Sequence, residues 1–262
     1  MNTRVLPYLC VIALLWSSPV HAQLAAPGDA GVAMGHVHLV TRDVEASRRF
    51  FTTLGGTPVQ NGPLQMMQFP GVFLLLRQAE PTGGTVGSVI NHFGFNVKDF
   101  EDSVARWQAA GLDVEAGGRA GQAWLMTADD ARIEILEDTT IEEPIRMHHV
   151  HWNVVAVPEV QAWYAKHFGA VPGTRGRFDA ADLPGVNLTF AKVETVNPGT
   201  QGTALDHIGF EVRDLAGFIA RLEAAGITLD SPLRVVADGA VSIAFLTDPW
   251  GTYIELTEGL AP

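Results

Sequence analysis

Four segments of the chain alternate between apolar and polar residues, and each carries a histidine. They are rich in β-branched and aromatic residues, so the alternation predicts strands. An amphipathic stretch follows each one, with apolar residues three to four apart and glycine at its end, and this spacing predicts a helix. Short strand patterns come next, for example 64–69 and 186–192. The chain is therefore predicted to contain four βαβββ units, marked in order by His36, His92, His149 and His207.

A longer repeat groups these units in pairs. The second and fourth units end in related strands, RIEIL at 132–136 and YIELT at 253–257, and the histidines recur at similar spacing in both halves of the chain. The repeat predicts two homologous modules, residues 31–140 and 145–260. The expected fold class is α+β, with two βαβββ units in each of the tandem modules.

The first 22 residues have the features of an export signal. Arg4 precedes an apolar stretch over residues 5–16, and the small residue Ala22 suits cleavage before Gln23. This stretch is shorter than the roughly 20 residues that cross a bilayer. Residues 1–22 are therefore predicted to be a signal peptide, and the mature chain is expected to have no membrane span. The predicted location is periplasmic or secreted.

Composition excludes several classes of function. Cys10 is the single cysteine in the chain, so the predicted mature protein has no disulfide, thiolate nucleophile or thiolate metal ligand. The formal net charge is −12, from 17 basic and 29 acidic residues. An acidic chain without a Lys/Arg cluster in its sequence is a poor match for nucleic acid, so none is expected as a partner.

The third unit contains three histidines within the sequence MHHVHW. Side chains two apart in a strand share one face of the sheet. Val150 and Trp152 are then predicted to face the helices, and His149 and His151 to face the opposite, polar side. The same alternation places His148 on the helix side, as a residue at the end of the strand.

Each module is predicted to direct two histidines and one glutamate, Glu134 or Glu255, to its polar face. A lone histidine in a strand would more simply be a hydrogen-bonded residue, but the same three residue types recur in both modules. Two imidazoles and a carboxylate, with other positions open, are typical of non-haem Fe(II) sites. The favoured cofactor is Fe²⁺ or Mn²⁺, with Zn²⁺ or Ni²⁺ as alternatives.

Three motifs carry a resemblance to a known family: HVHL with an aspartate seven residues after its first histidine, LDHIGFEVRD, and TDPWGTYIELTE. They are similar to those of the vicinal oxygen chelate superfamily, which includes glyoxalase I, bleomycin-resistance proteins and extradiol dioxygenases. The resemblance covers about residues 34–258. It implies tandem modules of paired βαβββ units that form two open β-cups, one in each module. Each cup would surround a metal, with ligands on the first and last strands. The implied ligand sets are His36, His92 and Glu134 in one module, and His149, His207 and Glu255 in the other.

The chain departs from parts of the family pattern. No carboxylate stands where glyoxalase I has a fourth protein ligand, so open metal positions are expected. In the first module Ala128-Asp129-Asp130-Ala131 replaces the Asp-Pro-x-Gly turn, which favours the set with Glu255 as the more important one. His151 is the candidate for proton transfer, with substrate contact or metal ligation as alternative roles, and Tyr253 is a second candidate catalytic residue.

The resemblance implies a metal-dependent enzyme that acts on a small substrate with two vicinal oxygens. Dioxygenase, isomerase and lyase chemistry all fit such a cup. The alternative is a non-catalytic protein that sequesters a small molecule, as bleomycin-resistance proteins do. Because two modules in one chain imitate a dimer of single modules, the protein is expected to be a monomer or a homodimer.

Overall fold

The four predicted βαβββ units are present in the computed structural model, which describes residues 24–261. The first unit comprises β1 (Val32–Thr41), α1 (Val44–Leu54), β2 (Thr57–Asn61), β3 (Leu64–Phe69) and β4 (Val72–Gln78). The second comprises β5 (Ile90–Val97), α2 (Phe100–Ala109), β6 (Glu115–Ala116), β7 (Gln122–Met126) and β8 (Arg132–Glu137).

The second half of the chain repeats this order. The third unit comprises β9 (Ile145–Val154), α3 (Val157–Phe168), β10 (Val171–Arg175), β11 (Phe178–Leu183) and β12 (Val186–Lys192). The fourth comprises β13 (Leu205–Val212), α4 (Leu215–Ala224), β14 (Ser231–Val236), β15 (Val241–Thr247) and β16 (Tyr253–Glu258), with a short 3₁₀ turn at Ala237–Gly239 between β14 and β15.

The units pair differently from the sequence repeat. One eight-stranded sheet has the order β14-β15-β16-β13-β1-β4-β3-β2, and the other has the order β10-β11-β12-β9-β5-β8-β7-β6. The outer two units thus form one cup, called the first cup, and the inner two units form the second cup. The fold class is confirmed, but the prediction that 31–140 and 145–260 each form a cup is wrong. Each repeat contributes one unit to each cup.

Each helix begins shortly after the first strand of its unit ends. The aspartate that follows the histidine in three units is the residue before the helix, and in two of them it caps the helix. The Asp43 carboxylate accepts the Ala46 N–H at 2.9 Å, and the Asp214 carboxylate accepts the Gly217 N–H at 2.9 Å. At the other end of α3, Gly169 takes a left-handed conformation with φ of 74°, which glycine adopts without strain.

One apolar core lies between the sheets and the helices, and strand alternation decides which side chains enter it. Val150 and Trp152 are fully buried in this core, as predicted. The neighbouring histidines therefore lie on the concave face of their sheet. Across residues 24–261, no helix is both long enough and apolar enough to cross a membrane. The predicted signal peptide lies outside the described residues.

Candidate metal centres

The second cup brings together two histidines and a glutamate from three adjacent strands. Glu134 Oε2 on β8 lies 2.9 Å from His149 Nε2 on β9 and 3.3 Å from His92 Nε2 on β5. All three residues are buried, with His149 fully inaccessible. The predicted ligand residues therefore do converge, but His149 joins the set with His92 and Glu134.

The first cup contains the matching set. Glu255 Oε2 on β16 lies 2.9 Å from His36 Nε2 on β1 and 2.9 Å from His207 Nε2 on β13. The two sets predicted from the sequence repeat are therefore wrong in composition. His36 and His149 exchange places, because β1 pairs with β13 and β5 pairs with β9.

Two glycines give these histidines the space they occupy. Gly209 lies opposite His36 across the strands, and Gly94 lies opposite His149. A Cβ atom at either glycine would overlap the imidazole of its partner. The HIG and HFG sequences of β13 and β5 thus combine a ligand histidine with the gap that admits the histidine of the neighbouring strand.

The prediction that His148 faces the helices is wrong. Gly94 pairs with His149 and Phe95 pairs with Met147, so His148 has no partner and forms a β-bulge in β9. The bulge turns the side chain into the cup. His148 Nδ1 lies 2.9 Å from His149 Nδ1, and burial lowers the pKa of His148 to about 4.

Sequence reasoning missed the residues that orient two of the histidines. His207 Nδ1 and Asp206 Oδ1 are 2.6 Å apart, and His92 Nδ1 and Asn91 Oδ1 are 2.8 Å apart. An oxygen at this distance accepts a hydrogen bond from Nδ1–H and leaves Nε2 with its lone pair toward the cup, which is the usual arrangement around a metal-bound histidine. In the sequence, an Asp or Asn directly precedes each of these two histidines, and this pattern could have identified the orienting residues.

The predicted catalytic residues His151 and Tyr253 lie in different cups. His151 stacks on His92 in the second cup, with ring centroids 4.5 Å apart. Tyr253 stacks on Phe245 in the first cup, with its ring centroid 5.6 Å from that of His207. Both residues were expected at one site because both belong to the same half of the sequence repeat. His38 is the counterpart of His151 in the first cup.

Electrostatic interactions favour charged glutamates at both centres and neutral histidines in the second cup. In the first cup, burial is outweighed by hydrogen bonds to Asp206 and Glu255, which raise the pKa of His207. Burial opposes ionisation of Glu134, but the imidazoles of His149 and His92 outweigh it and hold the pKa of Glu134 far below its usual range. Glu255 has a lowered pKa for the same reason, through His207 and His36. Burial lowers the pKa of His149 well below its ordinary value, and that of His151 to about 3. A metal requires these protonation states in its ligands.

Atoms without hydrogen-bond partners indicate that a metal fits the second cup. The close contacts of Glu134 with His92 and His149 lack hydrogen-bond geometry. His92 Nε2, His149 Nε2 and Glu134 Oε2 are therefore buried atoms without a hydrogen-bond partner in residues 24–261. Buried polar atoms are rarely left in this state. Three such atoms that converge from imidazole and carboxylate groups match the donors that a divalent transition metal prefers.

The first cup also has a suitable donor set. One nitrogen or oxygen from each of His36, His38, His207 and Glu255 lies within 4.8 Å of all the others. Both ring nitrogens of His38 are buried and have no hydrogen-bond partner among the described residues. This set offers four protein ligands to a metal.

The mouth of the first cup is closed. Leu64 lies on β3, near one edge of the curved sheet, and packs against apolar residues of β15, near the other edge. These residues are Val241, Ile243 and Phe245. A Cβ atom at Gly62 in the β2–β3 turn would lie 3.3 Å from the Ala237 carbonyl oxygen, so the two rims of the cup touch. A cavity of about 880 Å³ lies along β2, β4 and β13 of the same sheet, but Glu255 is not among the residues that line it. The contacts between the rims therefore leave little room for a substrate beside Glu255.

The second cup is open at the equivalent place. Gly176 occupies the position of Gly62, and a Cβ atom there would have no atom within 4 Å. A cavity of about 900 Å³ extends from this turn to the metal centre. Sequence reasoning singled out few of its residues. It is lined by Glu134, His148, Gln122, Arg175, Arg119, Arg177 and Phe178 among others.

Comparisons with known proteins agree with this architecture. The family described as "Glyoxalase/Bleomycin resistance protein/Dioxygenase superfamily" matches residues 33–167 and 166–256. The fold is similar to that of glyoxalase I from Zea mays, with a TM-score of 0.66 and 16% identity over 87% of this chain and 92% of that one. It is also similar to a putative dioxygenase from Bacillus subtilis, with a TM-score of 0.61 and 12% identity over 91% of this chain and 86% of that one. A search of curated protein sequences gives no match.

Proposed function

The chain belongs to the glyoxalase/bleomycin resistance protein/dioxygenase superfamily, and we propose that it is a divalent-metal-dependent enzyme whose reaction takes place in the second cup. The substrate is a small molecule with two vicinal oxygens. One observation carries the proposal: His92, His149 and Glu134 direct buried atoms without hydrogen-bond partners toward one point beside an open cavity of about 900 Å³. The first cup has the same ligand types behind a closed mouth.

A divalent cation in this site would supply Lewis-acid stabilisation of negative charge on the substrate oxygens. His92 Nε2, His149 Nε2 and Glu134 Oε2 would hold it. The Gln122 side-chain amide donates a hydrogen bond to Glu134 Oε1 and so fixes the carboxylate. Trp124 packs edge-on against His92, with centroids 4.9 Å apart, and limits the rotation of that ring.

His151 is the residue we assign to proton transfer. Burial lowers its pKa to about 3, so the ring is neutral at neutral pH and can accept a proton. Its Nδ1 atom is buried and has no hydrogen-bond partner among the described residues. So weak a base needs an acidic proton. A divalent cation held by His92, His149 and Glu134 would lower the pKa of a substrate hydroxyl beside it and so would make that proton acidic enough for His151 to accept.

A substrate panel tests the proposal and identifies the reaction class. Metal-free protein is reloaded separately with Fe²⁺, Mn²⁺, Zn²⁺ or Ni²⁺ and given catechols, α-hydroxy ketones and hemithioacetals of α-oxoaldehydes. Oxygen consumption indicates a dioxygenase. Deuterium uptake from D₂O at the carbon next to the carbonyl indicates an isomerase or lyase.

We expect metal-dependent turnover of at least one compound class, and its loss in His149→Ala. Glu255→Ala is the matched control, since it removes a candidate ligand from the closed first cup. Saturable binding of the same compounds without turnover, whichever metal is added, would contradict the proposal and support a non-catalytic binding protein.

We also propose that the protein is exported, on the evidence of its first 22 residues. Arg4, the apolar stretch at 5–16 and the small residue before Gln23 are the supporting features. The full chain is expressed in a bacterium, and the N-terminus is sequenced from the periplasmic fraction. A chain that begins at Gln23 is expected. Protein retained in the cytoplasm with Met1 in place would contradict export.

A further inference from the structure

Arg175 at the end of β10 is a cation in the wall of the second cup. Its side chain is 19% exposed, and its Nη2 atom lies 3.5 Å from Glu134 Oε2. Nε donates a hydrogen bond to Thr189 Oγ1 at 2.8 Å, and this bond fixes the guanidinium plane. Among the described residues it is the single hydrogen bond of the group, so both Nη atoms keep donors that face the cavity.

The compensation of the positive charge on Arg175 depends on what occupies the cup. In the structure Glu134 is the carboxylate closest to it. When Glu134 holds a divalent cation, its negative charge is compensated by the metal, and a mostly buried guanidinium is left without an anionic partner. Burial of an unpaired charge is costly. A negatively charged group on the substrate would restore the balance.

Two further arginines are placed where they can contribute. Arg119 and Arg177 line the same cavity and are exposed. The chain as a whole has a net charge of −12. Three arginines around one cavity are therefore a local concentration of positive charge in an acidic protein. Glu137 and Asp138 also line the cavity, but the Asp138 carboxylate already accepts hydrogen bonds from Asn96 and Thr140.

The closed first cup lacks this arrangement. Asn61 occupies the position of Arg175, directly before the glycine of the equivalent turn. Its amide donates to the backbone carbonyl groups of Gly259 and Leu260 and so helps to seal the cup. The arginine is therefore a feature of the open cup and is not required by the fold.

We propose that the second cup selects substrates that carry an oxyanion, a carboxylate or a phosphate, with Arg175 as the residue that binds it by two N–H donors. Arginine is suited to this role because its planar group matches both kinds of anion. Arg119 and Arg177 would attract the anion to the mouth of the cavity. The proposal rests on the proposed function, since it is the metal that frees Arg175 from Glu134.

Binding of three simple probes tests the proposal without an assay of activity. Full mature protein loaded with Zn²⁺, which is diamagnetic, is titrated with inorganic phosphate, benzoate and the neutral analogue benzamide, and binding is followed by calorimetry and by the NMR signals of the arginine Nε–H groups. Phosphate or benzoate should bind and shift the Arg175 signal, and the tighter of the two indicates the anion type. Benzamide should bind at least about tenfold more weakly.

Two variants complete the test. Arg175→Gln should lower affinity for the bound anion about tenfold to a hundredfold, since a charge-assisted pair of hydrogen bonds is lost. Arg49→Gln, which removes an exposed arginine on α1, is the matched control and should bind as the wild type does. Equal affinity for benzoate and benzamide, failure of both anions to bind, or unchanged affinity in Arg175→Gln would overturn the proposal.

The Zn²⁺ content of each sample separates this proposal from the proposed function. Protein that binds Zn²⁺ but shows no anion preference overturns the selection by Arg175 alone. Protein that binds no Zn²⁺ overturns the metal-dependent function, and the proposal fails with it because Arg175 then stays with Glu134.

Discussion

His149 and Glu134 belong to different halves of the sequence repeat, yet His149 Nε2 lies 2.9 Å from Glu134 Oε2. The contact exists because β5 pairs with both β9 and β8, which places the ligand strands of the second and third units side by side. Each candidate metal centre is therefore shared between the two halves of the chain. Removal of either half would leave both centres incomplete.

The two glutamates should differ in their importance for turnover. Glu134→Ala should abolish metal-dependent turnover and remove one equivalent of bound metal, because Glu134 stands in the open cup. Glu255→Ala should also remove one equivalent but leave turnover close to that of the wild type. Metal analysis and rate measurement on both variants check this. The TDPWGTYIELTE sequence favours the opposite order, and greater loss of turnover in Glu255→Ala would make the first cup the active one.

His149 and His151 should have separable roles. His149→Ala should lower metal occupancy of the second cup sharply, since a ligand atom is lost. His151→Ala should keep the metal and lower kcat by roughly 10²–10⁴-fold, as expected for loss of a proton-transfer group. Metal content and kcat are measured on both variants at the same metal concentration. Retention of metal in His149→Ala with its loss in His151→Ala would exchange the two roles.

Tyr253→Phe should leave kcat unchanged within a factor of about two. The hydroxyl belongs to the first cup, where Tyr253 stacks on Phe245 at 5.1 Å between ring centroids, and the reaction is assigned to the second. The measurement is kcat with the substrate identified in the panel, and Trp124→Phe serves as the comparison in the active cup. A large fall in kcat for Tyr253→Phe would show that the first cup admits substrate.

The ligand residues were predictable from the sequence, and their grouping was not. Alternation in the strands and recurrence in the repeat identify His36, His92, His149 and His207. The pairing of strands could not be deduced, because β5 and β13 have the same sequence pattern and either could pair with β1. Contacts between distant units favour pairing of β1 with β13 over pairing with β5. A single sequence does not reveal these contacts.

Two features of the site cannot be detected from the periodicity of the sequence. The bulge at His148 reverses the face expected from alternation. Closure of the first cup depends on contacts between distant turns, such as Gly62 beside Ala237. By contrast, the Asp43 and Asp214 helix caps involve an aspartate directly before an amphipathic stretch, a pattern that residue type and position alone can indicate.

The metal-free protein should lose stability as the pH falls from about 6.5 to about 4. Burial lowers the pKa of His148 to about 4 and of His151 to about 3 in the folded state. The unfolded chain, with histidine pKa values near 6.5, therefore binds protons first and becomes more favourable. Each such histidine contributes up to roughly 1.4 kcal/mol per pH unit in this interval. His207, with a raised pKa, contributes with the opposite sign.

Urea unfolding of the protein in the presence of a chelator, at several pH values between 7.5 and 4, measures this slope. The His148→Asn variant should show a shallower dependence. A free energy of unfolding that stays constant or rises over the interval would be inconsistent with neutral, buried histidines in the folded state.

Anomalous diffraction from crystals soaked in Mn²⁺, recorded at the manganese absorption edge, tests the central claim most directly. The account predicts a peak in the second cup enclosed by His92 Nε2, His149 Nε2 and Glu134 Oε2, next to the cavity that contains Arg175. A peak bound by His149 together with His207 and Glu255, or no peak beside Glu134, would contradict it.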